Sequence, residues 1–261
     1  MVKASPELTW AFAALALVVA AAFPVLVFRA ARAAGELDAK PRALRAAAVT
    51  ALWLAATFAA GASGRLRFDT VPPTMAVLFV VSWGMALRVG LGRTGARVVE
   101  WTPLGLLVLV QAFRLPLELL MHRAYSEGLM PGQMSFSGRN FDIVTGTAAL
   151  LLGVAMTARR GRVPLWLVAA WNVMGSLLLV NVLVVALLSA PTPFRVFMNE
   201  PANTWIEAAP WVWLPAVFVP AAIAGHVIIF RRLRMEARRR AAVPASPSPE
   251  RHPDRTAATV A

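Results

Sequence analysis

A bundle of α-helices crossing a membrane about seven times is the fold this sequence predicts, and three observations predict it. Of 261 residues, 59% are hydrophobic and 15% charged, against about 45–50% and 25% in soluble domains. The mean hydropathy is +0.64. The apolar residues gather into runs near the roughly 20 residues that a helix needs to cross the hydrocarbon core. No segment alternates with period two, as a transmembrane barrel would require. The expected class is all-α, a polytopic integral membrane protein with residues 1–230 as one transmembrane domain. A multi-pass position in the cell (inner, cytoplasmic) membrane is the expected location.

The elements follow in order. The run 8–28 is longer than the 7–15 apolar residues typical of a signal peptide, and Arg29 and Arg32 follow it directly, so it reads as a retained helix. Runs 46–63, 71–89 and 101–121 come next, the first of them short. A short run at 141–158 precedes a long one at 163–188, which has room to tilt, and the last is 211–230. The external connections 122–140 and 189–210 are long and of mixed composition, the kind of loop that carries function. Residues 231–242 continue as a basic juxtamembrane helix. Beyond them Pro244, Ser246, Pro247, Ser248 and Pro249 predict a disordered tail to the end of 231–261.

Orientation follows from the distribution of Lys and Arg. Nineteen lie in the segments after the first, third, fifth and seventh runs, and six lie on the other side. The N-terminus is thus expected outside and the C-terminus in the cytoplasm. Trp10, Trp101, Trp166, Trp205, Trp211 and Trp213 fall near run ends, where indole rings favour the headgroup level. Because the basic residues sit between apolar runs, the net charge of +13 marks topology, and no nucleic-acid partner is expected. The arginines from Arg231 onward are expected to attract anionic lipids of the bilayer.

Several chemistries are excluded. Without cysteine there is no disulfide, thiolate metal site or cysteine nucleophile. Lys3 and Lys40 are the only lysines, so no late-span lysine can form a retinal Schiff base. Neither a phosphate-binding Gly-x-x-x-x-Gly-Lys loop nor a Gly-x-Ser-x-Gly elbow occurs. No cofactor is expected.

The fourth run concentrates the ionisable residues. Gln111, Arg114, Glu118 and His122 fall within an arc of about 80° on a helix wheel, and such residues in a span usually face the bundle interior or a cavity. Pro116 removes a backbone donor and predicts a kink. Arg114 and Glu118, four apart, form the expected ion pair if the stripe is only structural. If it binds a ligand, Arg139 and Asp142 close its rim, with Asn140 as the helix cap. A third polar group, Asn199, Glu200 and Asn203, lies in the last external loop. Glu118 and His122 together could reach one metal ion, with Asp142 or Glu200 as a third ligand, but the spacing is that of neither His-Glu-x-x-His nor Glu-x-x-His, and no metal is expected. His226 reads as a packed residue near the inner end of the last run. Asn172 and Asn181 each read as a hydrogen bond to a neighbouring helix.

The expected function is binding, and in one form translocation, of a small polar or anionic-headed molecule in the outer half of the bundle. The candidate ligand is a small molecule or a lipid headgroup. The alternatives are an intramembrane enzyme acting on a lipid-like substrate, with Glu118 and His122 as acid and base, and a structural partner of another membrane protein in an envelope complex.

Overall fold

The computed structural model describes residues 4–158 and 163–242. Lys3, the arginines at 159, 160 and 162, and the tail expected to be disordered lie outside the described residues. All regular structure among the described residues is helical, and several of the helices are those of a multi-pass membrane protein. Six are long and apolar enough to span a bilayer, and one more apolar helix, Asp142–Ala158, is shorter. At 17 residues it measures about 26 Å, a little less than the roughly 30 Å hydrocarbon core.

Helix α1 (Pro6–Ala33) starts where Ser5 Oγ accepts the N–H of Leu8 and proline takes the first helical position, which has no partner for an N–H in any case. It packs along α2 (Ala39–Ala62). Helix α3 (Thr74–Leu91) is followed at once by α4 (Arg93–Trp101), where the sequence predicts only a basic connection. Its apolar side, Val98 and Val99, is buried, while its arginines leave it too polar to read as a span. Helices α5 (Leu104–Val110) and α6 (Arg114–Ser126) are joined through a 3₁₀ turn at Gln111–Phe113. That irregularity lies one turn before Pro116, whose ring cannot coexist with a regular carbonyl at Ala112.

Helix α7 (Asp142–Ala158) lies against α5 and α6, and α8 (Leu165–Ser189) lies against α7. The chain then forms a cap, enters a π-helical turn at Leu214–Phe218, and ends in α9 (Val219–Ala241). A β-carbon on Gly146 would overlap the backbone nitrogen of Leu115, and one on Gly153 would stand 2.8 Å from Leu109 Cα. The glycines therefore let α7 touch the α5–α6 backbone directly, the packing mode that membrane helices use in place of a hydrophobic drive.

Side-chain bonds hold together the two ends of the bundle. At the cap end, Glu127 accepts the Ser5 N–H at 2.8 Å and the Ser5 hydroxyl at 2.7 Å, and Glu207 accepts the Phe68 N–H at 2.9 Å. Phe12 sits at its centre, 4.8 Å from the Trp211 ring and 5.3 Å from Phe218. At the basic end, Arg231 donates to the carbonyl of Gly90 and Arg232 to those of Val99 and Glu100, which satisfies carbonyls that helix ends leave open. A second apolar cluster there includes Val108, Val168, Trp171 and Ile229.

Candidate functional site

Arg114 is fully buried, at 1% exposure, at the first turn of α6. Its Nε donates to Asp142 Oδ2 at 2.5 Å. The expected Arg114–Glu118 ion pair is therefore corrected: the carboxylate that meets the guanidinium comes from the start of α7, which Gly146 brings into backbone contact with α6. Arg114 Nη1 donates to His226 Nε2 at 2.6 Å. An arginine can only donate, so His226 carries its proton on Nδ1 and gives it to Asn172 Oδ1 at 2.8 Å. Asn172 Nδ2 closes the loop on the carbonyl of His226 at 3.2 Å. Gly175 leaves room for this meeting, since a β-carbon there would lie 2.8 Å from the His226 ring.

Glu118 is buried and accepts Asn140 Nδ2 at 2.8 Å, and the same amide donates to the carbonyl of Met134 at 3.0 Å. Asn140 Oδ1 accepts the N–H of Asp142 at 3.0 Å. Asn140 thus closes the start of α7, and the Asp142 carboxylate lies at the helix N-terminus, where negative charge is favoured. Two atoms of the central ion pair, Arg114 Nη2 and Asp142 Oδ1, have no hydrogen-bond partner among the described residues. One is a donor and the other an acceptor. Both residues, with Glu118, line a cavity of about 60 Å³ whose other walls include Phe113, Leu117, Met121 and Phe218.

Gln111 is buried apart from the ion pair, its amide nitrogen so close to Gly225 that a β-carbon there would overlap it. His122 is on the same face of α6 but one turn nearer the cap, where its Nδ1 lies 2.8 Å from Ser135 Oγ and its ring stacks on Phe136 at 4.4 Å. His122 is thus held by the loop before α7, and of the stripe expected from Gln111, Arg114, Glu118 and His122, Arg114 and Glu118 line the small cavity while Gln111 and His122 do not. Arg139 is exposed and lies over the Phe197 ring at 5.3 Å. Asn199 donates to Gln133 at 2.7 Å, and Glu200 accepts from Arg195 at 3.0 Å, so both fasten the cap. The Arg195 guanidinium beside Glu200 holds its carboxyl below the usual carboxylate range. Among the described residues no group of three His, Asp or Glu side chains gathers where it could hold a metal ion, and Glu118 and His122 bond to different partners.

Asn203 is different. Its Nδ2 donates to the carbonyl of Ala186 at 3.0 Å, but its buried Oδ1 has no partner among the described residues. It faces a second, larger cavity of about 420 Å³, walled by Phe79, Val80 and Trp83 of α3 and by Val180, Leu183 and Leu187 of α8. Trp83 Nε1 on the same wall is likewise unpartnered. Val80, Val180 and Val184 are exposed on the outer side, so the cavity is a groove open to the bilayer. Met134, Leu183, Ala186, Leu214 and Val219 line both spaces, which makes the small cavity at the ion pair and the apolar groove neighbours.

Sequence reasoning missed His226 and Asn172 as members of the central group. The signal was present: an ionisable side chain within an apolar run usually faces the interior and a partner.

Residues 71–234 match a family described as a domain of unknown function, DUF8737. The match covers more than half of the chain, and the protein belongs to that family. Neither a curated protein nor a solved structure matches it.

Proposed function

We propose that this DUF8737 member is a cell-membrane protein that binds an amphipathic, lipid-like molecule. The tail would lie in the groove between α3 and α8, and a small polar head would reach the Arg114–Asp142 pair. The observation that carries this reading is the shared wall between a 420 Å³ apolar groove and a 60 Å³ cavity, itself mostly apolar, that reaches the buried Arg114–Asp142 pair. A hydroxyl or amide head would match the open donor and acceptor of the pair. A fully anionic head is a poorer match, because Asp142 already opposes the guanidinium and Glu118 stands beside it. Binding is the part of the earlier expectation that this geometry supports. Translocation would require polar groups nearer the basic end, and the space beyond Gln111 is walled mainly by Val89, Leu107 and Ile228.

A lateral opening also favours the enzymatic alternative, with Glu118 as the proton-transferring group. His122 is less suited as its partner, being engaged with Ser135. Assembly with another membrane protein draws less support, because the polar residues close on one another inside one chain. For orientation we propose an external N-terminus and a cytoplasmic C-terminus. Anionic lipids would then gather at Arg234, Arg238, Arg239 and Arg240, since Arg231 and Arg232 turn inward to helix ends.

Photo-crosslinking tests the binding reading. A lysophospholipid carrying a diazirine in its chain should label 74–91 and 177–187 in the reconstituted protein, and excess unlabelled lysophospholipid should suppress it. Labelling spread evenly over exposed helix faces, α2 included, would reject the groove as a site.

A further inference from the structure

A second cleft opens at the opposite end of the molecule, between α1, α2, α3 and α4. It has a volume of about 320 Å³, with Arg42, Arg45, Arg97 and Thr94 on its polar side and Phe23, Val27, Val49 and Val89 as apolar walls. Glu36 holds two of the arginines, Arg97 Nε at 2.9 Å and Arg42 Nε at 3.2 Å, and Arg42 also reaches Asp38 at 2.7 Å. Arg45 makes no ion pair among the described residues. Three guanidiniums are therefore gathered and two are fixed in place, with positive charge left over.

The cleft does not end at its apolar walls. Phe23 and Val89 also line a further space of about 290 Å³ between α1, α5 and α9, bounded by Val18, Leu26, Leu107, Ala221 and Ile228. Together the two spaces follow α1 from Val18 to Ala31, about 20 Å of helix. One leaflet of hydrocarbon is roughly 15 Å deep. Positive charge at the membrane end, an apolar channel of chain length behind it, and an interfacial position beside the amphipathic α4 are complementary to one class of molecule.

We infer that this cleft holds an anionic phospholipid, its phosphate between Arg42, Arg45 and Arg97 and one acyl chain running along α1 behind Phe23. The site is separate from the groove at the cap end and does not depend on the function proposed for it. The lipid serves as a wedge that α2, with few buried residues of its own, needs at its basic end.

The test is native mass spectrometry of the full chain released from bilayers of phosphatidylglycerol and phosphatidylcholine with matched chains, scored per folded, monodisperse protein. The wild type should retain phosphatidylglycerol over phosphatidylcholine by about tenfold or more, as two or three surface charges would give. Arg42→Gln with Arg45→Gln should remove the preference. Ala22→Phe, which fills the channel and leaves every charge in place, should lower retention of the lipid, and it decides the matter if the arginine variant fails to fold. Arg238→Gln with Arg239→Gln and Arg240→Gln should retain the lipid. Unchanged retention in the cleft variants, loss confined to the tail variant, or displacement by inorganic phosphate as effective as displacement by phosphatidylglycerol would each overturn the inference.

Discussion

Arg114 connects three helices through a single side chain, and its removal should show it. Leaving Asp142 buried and unpaired should cost about 3–5 kcal/mol, whereas exchanging both charges for apolar groups is often close to neutral. Arg114→Met is therefore expected to unfold far more readily than wild type in a detergent denaturation series, and Arg114→Met with Asp142→Leu should recover most of the loss. If the double variant also kept wild-type capture of the lysophospholipid, the ion pair would have no part in binding. At the cap, the Ser5 N–H, then Arg123 and the Ser5 hydroxyl, hold the Glu127 carboxyl at about 2, below its ordinary 4.5. A depressed acid contributes stability that is complete above its ordinary value and fades as pH falls through the folded one. The melting-temperature gap between wild type and Glu127→Gln should hold from pH 7 to 5 and close by about pH 2. Local spacing made Arg114, Glu118 and Asp142 legible as candidates. It could not select Asp142 as the partner, because 28 positions separate the two residues and only the fold brings them together. His226 and Asn172 were obscured for the same reason: each looks solitary on its own helix.

Among elements, α7 is the most tightly constrained. Gly146→Leu would force α6 and α7 apart at the level of the ion pair, since the contact it meets is backbone and cannot rotate away. Overpacking of this kind costs about 1–3 kcal/mol or more. The variant should show both reduced thermal stability and loss of the Arg114–Asp142 contact, the latter read by the failure of Asp142→Leu to destabilise it further. A stable variant in which Asp142→Leu remained fully costly would contradict this account. The apolar runs made α1, α3 and α8 legible, because lipid demands them. The short α4 was not legible as a helix, because its period of apolar residues is brief and its arginines dominate. The 3₁₀ turn at Gln111–Phe113 was foreshadowed by Pro116, although its effect on the polar stripe depended on the loop that covers His122.

At the scale of the whole molecule, the two ends are built differently. Loops and acidic side chains receiving backbone N–H groups join the cap end, and arginines on helix-end carbonyls join the other. This fits the orientation proposed from charge, since arginine is retained on the cytoplasmic side. Periplasmic-reporter fusions at Gly64 should be active and those at Gly92 and Ala242 inactive, with the reverse pattern for a cytoplasmic reporter. An externally active fusion at Ala242 would invert the whole frame, the tail lipids included. The overall class was legible because solvent chemistry writes it into composition. The groove between α3 and α8 was not, because a space between helices is encoded by what fails to fill it.

The π-helical turn at Leu214–Phe218 has a consequence for the way this segment can vary. A π turn amounts to one residue inserted into an α-helix, and each helical residue advances the wheel by about 100°. Leu214, Phe218 and Val219 line the small cavity at the ion pair, and His226 follows two turns later on the same helix. The length of this stretch therefore sets the rotational phase of α9, like the indexing of a gear. Deleting Val217 should swing the imidazole away from Arg114 and lower the melting temperature well below that of Val217→Ala, which trims the side chain and keeps the phase. The segment can accept new side chains far more easily than a new length.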